Sequence, residues 1–307
     1  MFFLLLTIVG GATFSVFARQ LGSVLSPFSL LFIGELSILV AISLSFGLLP
    51  LAQALLRIGP HYALPLLGLS ISVTIGLLLW FFALEKTGAA NAELIGKAET
   101  LFVLLFSHVC FRERFTRRHL WTTLLVSLGI IVIVLRDVDG GFSLHGSDLL
   151  ILLSALLFAS TTLVIKKSLS ALPPELLLFS RSLFAVVSFV LLSPFLPSSL
   201  ASELLHFPQT LLPILFGFAL LSRFLALLGF YEAVERLPLT TIYLTLPLST
   251  VGAILFAHVS LGEALSWHHL FGGTTIIAGV LSLALSGPHP TRAHAVMHLK
   301  QHPRHHL

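Results

Sequence analysis

The chain reads as an all-α integral membrane protein, with ten transmembrane helices arranged as two inverted five-helix repeats. Three observations predict this. Apolar residues make up 56% of the 307 residues and charged residues only 10%, with a mean hydropathy of +1.03; a soluble domain carries about 25% charge. A set of residues also recurs at one spacing of 150: Thr100, Leu105, Phe106, His108, Val109, Glu113, His119, Leu120 and Gly129 return as Thr250, Leu255, Phe256, His258, Val259, Glu263, His269, Leu270 and Gly279. Finally, Lys and Arg are distributed unevenly between alternate loops. Internal repeats in an apolar chain point to a secondary transporter with its binding site between the repeats, near the bilayer midplane.

A helix needs about 20 apolar residues to cross the hydrocarbon, and backbone groups facing lipid must be bonded within the segment. Ten stretches qualify: 2–18, 27–49, 63–84, 89–110, 119–136, 148–166, 174–195, 210–232, 238–258 and 267–286. Pro27, Pro60, Gly88, the Arg cluster at 112–118, Asp137 to Gly141, Pro173-Pro174, Pro197, Pro238 and Gly262 separate them. The first stretch lacks the basic region that precedes the apolar run of a secretory signal, so it is expected to be a retained span. The organisation expected is a first repeat over 1–136, a polar linker over 137–147, a second repeat over 148–286 and a disordered His-rich cytoplasmic tail over 287–307.

With the N-terminus inside, the inner segments hold eleven Lys and Arg and the outer ones only Arg19, Lys86 and Arg136. Both termini are therefore expected in the cytoplasm, in the cell membrane. Five spans per copy is odd, so the second copy enters upside down. Its loop 262–268 has no Lys or Arg, whereas the equivalent loop 112–118 has four Arg. The single Cys110 excludes an intrachain disulfide and a Cys-based metal cluster.

Trp80-Phe81-Phe82-Ala83-Leu84-Glu85-Lys86-Thr87-Gly88-Ala89-Ala90 resembles the junction of the third and fourth helices in EamA-type transporters of the drug/metabolite transporter superfamily. Phe230-Tyr231-Glu232-Ala233-Val234-Glu235-Arg236-Leu237-Pro238-Leu239 resembles the same junction in the second copy. Phe111-Arg112-Glu113-Arg114 and Leu261-Gly262-Glu263-Ala264 resemble that family's acidic turns. The resemblance covers residues 1–286. It implies ten helices, no ATP use, no cofactor, and export or exchange of small organic solutes such as amino acids or metabolites. The family often has an Arg early in its second and seventh helices. Arg181 fits that pattern, but the first copy has Gly34-Glu35 there.

Charges within a membrane span cost several kcal/mol unless paired or wetted, which makes each a functional candidate. Glu35, Glu93, Lys97, Glu99, Arg181 and Arg223 qualify. Glu93, Gly96, Lys97 and Thr100 share one helix face. Lys97 and Arg223 lie near the midplane, given a rise of ~1.5 Å per residue. The expected translocation residues are Glu93, Lys97, Thr100, Arg223, Tyr243, Thr245 and Pro247, with Glu35, Glu99 and Arg181 as intramembrane charge partners. In this reading Lys97 and Arg223 take a carboxylate or phosphate, Glu93 or Glu99 takes an amine or proton, and Glu99 points towards Arg181 or Arg223. The competing reading is a set of internal salt bridges that hold the bundle together. Pro247 stands where the first copy has Lys97, and it would bend its helix and free a carbonyl. Gly10-Gly11 and Gly272-Gly273 allow close helix approach.

The partners expected are a small-molecule solute and the lipid bilayer, with a proton or counter-solute as coupling species, and no nucleic acid or metal. Gly96-Lys97 lacks the remaining residues of a phosphate loop, which excludes a primary pump. A membrane-embedded transferase acting on a lipid-like substrate is the alternative class. Against it, no Asp-rich pair, HxxxD box or Ser-His-Asp set appears near a membrane face.

Overall fold

The computed structural model describes residues 1–84, 96, 98–111, 116–135, 146–193, 200–262 and 267–284. Its helices are α1 (Phe2–Leu21), α2 (Pro27–Phe46), α3 (Leu48–Leu56), α4 (Pro60–Leu84), α5 (Ala98–Phe111), α6 (Arg117–Leu135), α7 (Gly146–Ser168) and α8 (Pro174–Leu192). After the short α9 (Leu200–Leu205) comes a continuous apolar rod, Gln209–Arg236. It contains α10 (Leu212–Gly217), a π-helical stretch (Phe218–Leu225) and α11 (Ala226–Arg236). Then follow α12 (Leu239–Thr245), α13 (Leu248–Leu261) and α14 (Trp267–Ala284). Among the described residues no strand occurs. Six helices there are long and apolar enough to cross a membrane, and Phe2–Ala18, Ala98–Phe111 and Leu270–Ser282 form shorter apolar helices.

Local chemistry explains most boundaries. Pro27 and Pro174 open α2 and α8, where the missing N–H is harmless and the fixed φ suits a first helical turn. Gly262, at φ +68°, closes α13, and its N–H bonds the His258 carbonyl at 3.1 Å. Thr116 and His119 bond each other's backbone N–H groups at the start of α6, a reciprocal cap.

One boundary is corrected. The second span ends at Phe46, not 49, because Gly47 takes φ +85° and the chain restarts as α3. Within the ninth span, Leu239–Ser260, Pro247 separates α12 from α13 and leaves short i to i+3 bonds around it. The helix α9 was not read from the sequence at all.

The surface is that of a protein in oil. Leu44, Val259 and Trp267 are each 82% exposed, and many other large apolar side chains are exposed too, while Glu35, Arg181 and Arg223 lie inside. Helices α1–α14 therefore present their greasy faces outward, and the chain is a multi-pass membrane protein. The largest apolar core joins α2, α8, α11 and α12 through Ile38, Ile42, Leu177, Phe179, Val234, Leu239 and Ile242.

Packing follows a paired pattern. Helix α1 packs on α11 and α13, and α7 packs on α4 and α5. Helix α2 packs on the π-helical stretch, and α8 packs on α4. Helices α2 and α8 pack on each other, as do α6 and α14. Exchanging the two halves of the chain maps each of these pairings onto another, or onto itself. The glycines recurring at the 150-residue spacing sit at one such crossing. A Cβ on Gly129 would fall 2.6 Å from the Gly272 carbonyl, and one on Gly279 would fall 3.4 Å from the Thr122 carbonyl. Gly10 meets Ala226 and the Leu221 carbonyl equally closely, as a small-residue helix contact requires.

Candidate functional site

The start of α2 is held by Ser26, whose N–H and hydroxyl both donate to the Glu203 carboxylate at 2.9 and 3.2 Å. Eight residues after Pro27, Glu35 points into the bundle and is fully buried. Eight residues after Pro174, Ser182 stands at the matching place in α8, also fully buried. The two touch: the Ser182 hydroxyl donates to Glu35 Oε2 at 2.9 Å. Equivalent positions of the two halves thus meet at the centre of the α2–α8 crossing.

Two guanidinium groups converge on the other carboxylate oxygen. Arg181 Nη2 donates to Glu35 Oε1 at 2.7 Å and Arg223 Nη2 at 2.6 Å. Both arginines are buried. Arg223 reaches this point from the π-helical stretch, a distortion that re-aims side chains and recurs at functional sites. Gly34 admits it, since a Cβ there would lie 2.7 Å from Arg223 Nε. The Phe14 ring lies 5.8 Å from the guanidinium carbon, and Thr13 bonds Ser222 at 2.7 Å, so α1 closes the other side. Tyr231 lies in the electrostatic neighbourhood of Arg181. Among the described residues its hydroxyl has no hydrogen-bond partner of good geometry, and neither does Nε of Arg181 or of Arg223.

A second polar chain crosses between the halves. The Tyr243 hydroxyl, on α12, donates to Glu99 Oε1 at 2.7 Å and lies 2.8 Å from the Thr162 hydroxyl of α7. A third link joins α7 to α11: Lys166 Nζ donates to the carbonyls of Val234 and of Leu237, the latter at 2.8 Å, where α11 ends and exposes unpaired oxygens.

The charge partners therefore sort differently from the expectation. Glu35, not Glu99, takes both Arg181 and Arg223, and Glu99 goes to Tyr243. The Thr245 hydroxyl bonds the Thr241 carbonyl of its own helix at 2.6 Å, and Ser249 likewise bonds Leu246 at 2.7 Å. Thr100 is half-buried on α5. Pro247 lies at the break between α12 and α13. Glu93, Lys97, Glu113 and Glu263 lie outside the described residues, as do the tail 287–307 and most of the linker 137–147. Among the described residues no three His, Cys, Asp or Glu side chains come together as a metal site. Sequence reasoning missed Gly34, Thr162, Lys166, Ser182 and Tyr231. The alignment of the halves that sets Gly34-Glu35 against Arg181 also places Ser182 opposite Glu35, which is the signal that points to it.

Comparison with known proteins gives a consistent result. Residues 1–135 and 145–285 each match the EamA-like transporter family. The chain is 28% identical over 231 residues to a protein of Methanothermobacter thermautotrophicus described as an uncharacterized transporter, covering 74% of this chain and 65% of that one. It is 24% identical over 213 residues to a Synechocystis protein described in the same way, covering 66% and 60%. It thus spans less than two-thirds of the length of either relative. A chain of known crystal structure shares the fold with a TM-score of 0.73 at 18% identity, over 92% of this chain and 96% of its own. With both halves matched, and with its lipid-facing surface and interior charges, the chain belongs to the EamA-like transporter family.

Proposed function

We propose that this protein is a secondary transporter that moves a small organic metabolite across the cytoplasmic membrane by alternating access, as an exporter or exchanger. Ten spans in two inverted repeats, 1–136 and 148–286, form the moving parts, with both termini in the cytoplasm. The paired packing and the two family matches support that reading. The observation that carries it is the buried set Glu35, Arg181 and Arg223, placed where equivalent helices of the two halves cross inside a lipid-facing shell. Charges persist at such depth in a membrane protein where they serve a transport path.

In this mechanism solute binds between the repeats, beside Arg223 and Tyr243, with Glu93, Lys97, Thr100, Thr245 and Pro247 completing the path. Glu35 and Arg181 hold the crossing of α2 and α8 as a pivot. The Tyr243–Glu99–Thr162 chain and the Lys166 link are the contacts that break and reform as the halves rock. The break at Pro247 supplies the bend. Purified protein in liposomes tests the reading. Flux of a radiolabelled solute without ATP and without product formation is the expected result; product formation with no flux would return the transferase class.

A further inference from the structure

The buried cluster is not electrically balanced. Two guanidinium groups face one carboxylate, and among the described residues neither arginine forms an ion pair with any other group. Among the described residues three donors in the same cluster lack acceptors: Nε of Arg181, Nε of Arg223 and the hydroxyl of Tyr231, on side chains buried to more than nine-tenths. An unpaired charge in a low-dielectric interior is among the most expensive features a fold can carry. Short of a positive charge left unpaired, this cluster calls for one negative charge from outside.

The present occupant shows which chemistry fits. Glu35 presents a carboxylate, and one of its oxygens is shared by both arginines at 2.6–2.7 Å. Guanidinium groups are planar forks matched to carboxylate oxygens. A second carboxylate would give two acids for two bases, with Glu35 retaining Arg181 and Ser182 and the newcomer taking Arg223 together with a free donor. A zwitterion brings no net charge and would leave the excess in place. We infer that Arg181, Arg223 and Tyr231 form a binding site for a solute of net charge minus one carrying a single carboxylate, with Glu35 as the resident carboxylate against which it competes. This names the cargo class of the transporter reading and rests on it.

The test uses the full-length protein in detergent, with binding read as protection against thermal unfolding and by saturation-transfer NMR. The probes are acetate, lactate and benzoate, with acetamide, lactamide and benzamide as neutral isosteres, alanine as the zwitterion and chloride as an inorganic anion. Carboxylates should protect, and the amides, alanine and chloride should not. Arg223→Met should abolish protection, Tyr231→Phe should weaken it, and Glu35→Gln should tighten carboxylate binding by about tenfold by removing the competitor. Equal protection by amides, by alanine or by chloride would overturn the assignment. So would unchanged binding in Arg223→Met, weaker binding in Glu35→Gln, or no protection by any carboxylate. Arg223→Lys keeps the charge and should retain weakened binding, which separates loss of the site from loss of the fold. ATP-free flux of a neutral or cationic solute in liposomes, without carboxylate binding, would sink this inference while leaving the transporter reading intact.

Discussion

Glu35→Gln and Arg223→Met remove a charge from the same cluster, yet they should have opposite consequences for stability. Among the described residues Glu35 supplies the only carboxylate to two buried guanidinium groups, at 2.6 and 2.7 Å. Its neutralisation leaves two positive charges facing each other with no counter-ion. Breaking a buried pair by removing one partner costs about 3–5 kcal/mol, and two pairs share this acid, so the upper part of that range applies. Arg223→Met removes the odd charge, keeps the Arg181–Glu35 pair and the Ser182 bond, and replaces a long stem by one of similar length. Exchanging a buried charge for a well-packed apolar side chain is often neutral or stabilising, by about 1–4 kcal/mol. Unfolding from detergent is commonly irreversible, so the measured quantity is the temperature of half-loss of the monodisperse peak after a fixed heating time. Glu35→Gln should lower it by about 10 °C, on ~2 °C per kcal/mol, the large-chain end of the range, for 307 residues, while Arg223→Met leaves it unchanged or raised. Equal losses in the two variants would refute the premise of an excess charge.

Three other outcomes follow from the geometry. Gly34→Val places a Cβ within 2.7 Å of Arg223 Nε; forcing that side chain aside should cost about 1–3 kcal/mol, seen in the same heating assay, with transport reduced further. Tyr243→Phe takes a hydroxyl from between Glu99 and Thr162. It should destabilise by about 1–3 kcal/mol and alter the rate of solute flux in liposomes; unchanged flux would remove Tyr243 from the moving contacts. In a Cys110→Ala background, Arg114→Cys and Ser266→Cys should react with an impermeant thiol reagent from opposite faces of the membrane. Labelling from one and the same face would end the inverted-repeat reading.

Much of the architecture could be read from residue types alone, because lipid leaves a chain few choices. Long apolar runs must be helical, and prolines such as Pro27 and Pro174 mark where they begin. Short-range backbone chemistry was harder to anticipate. Gly47 could equally have continued α2, and its positive φ follows from the turn into α3. The π-helical stretch that carries Arg223 has no compositional mark, since it depends on how the rod packs against α1 and α2. The buried charges were identifiable as candidates, but their partners were not. Depth along a helix fixes how far in a side chain lies and says little about which neighbour it faces. Glu99 and Glu35 lie in different spans, and only the α2–α8 crossing decides that Glu35 receives both arginines.

The cluster's make-up is lopsided, and that has a consequence for energetics. Helix α4, the counterpart of the rod bearing Arg223, contains no Lys, Arg, Asp or Glu, so that helix brings no matching cation to the α2–α8 crossing. A carrier whose halves swapped places would therefore trade a charged neighbour for an apolar one on each stroke. Its two end states then differ in free energy when empty, and one dominates at rest. Cargo that cancels the surplus charge would narrow this gap, making the loaded protein the one that turns over readily and the vacant one the slow returner.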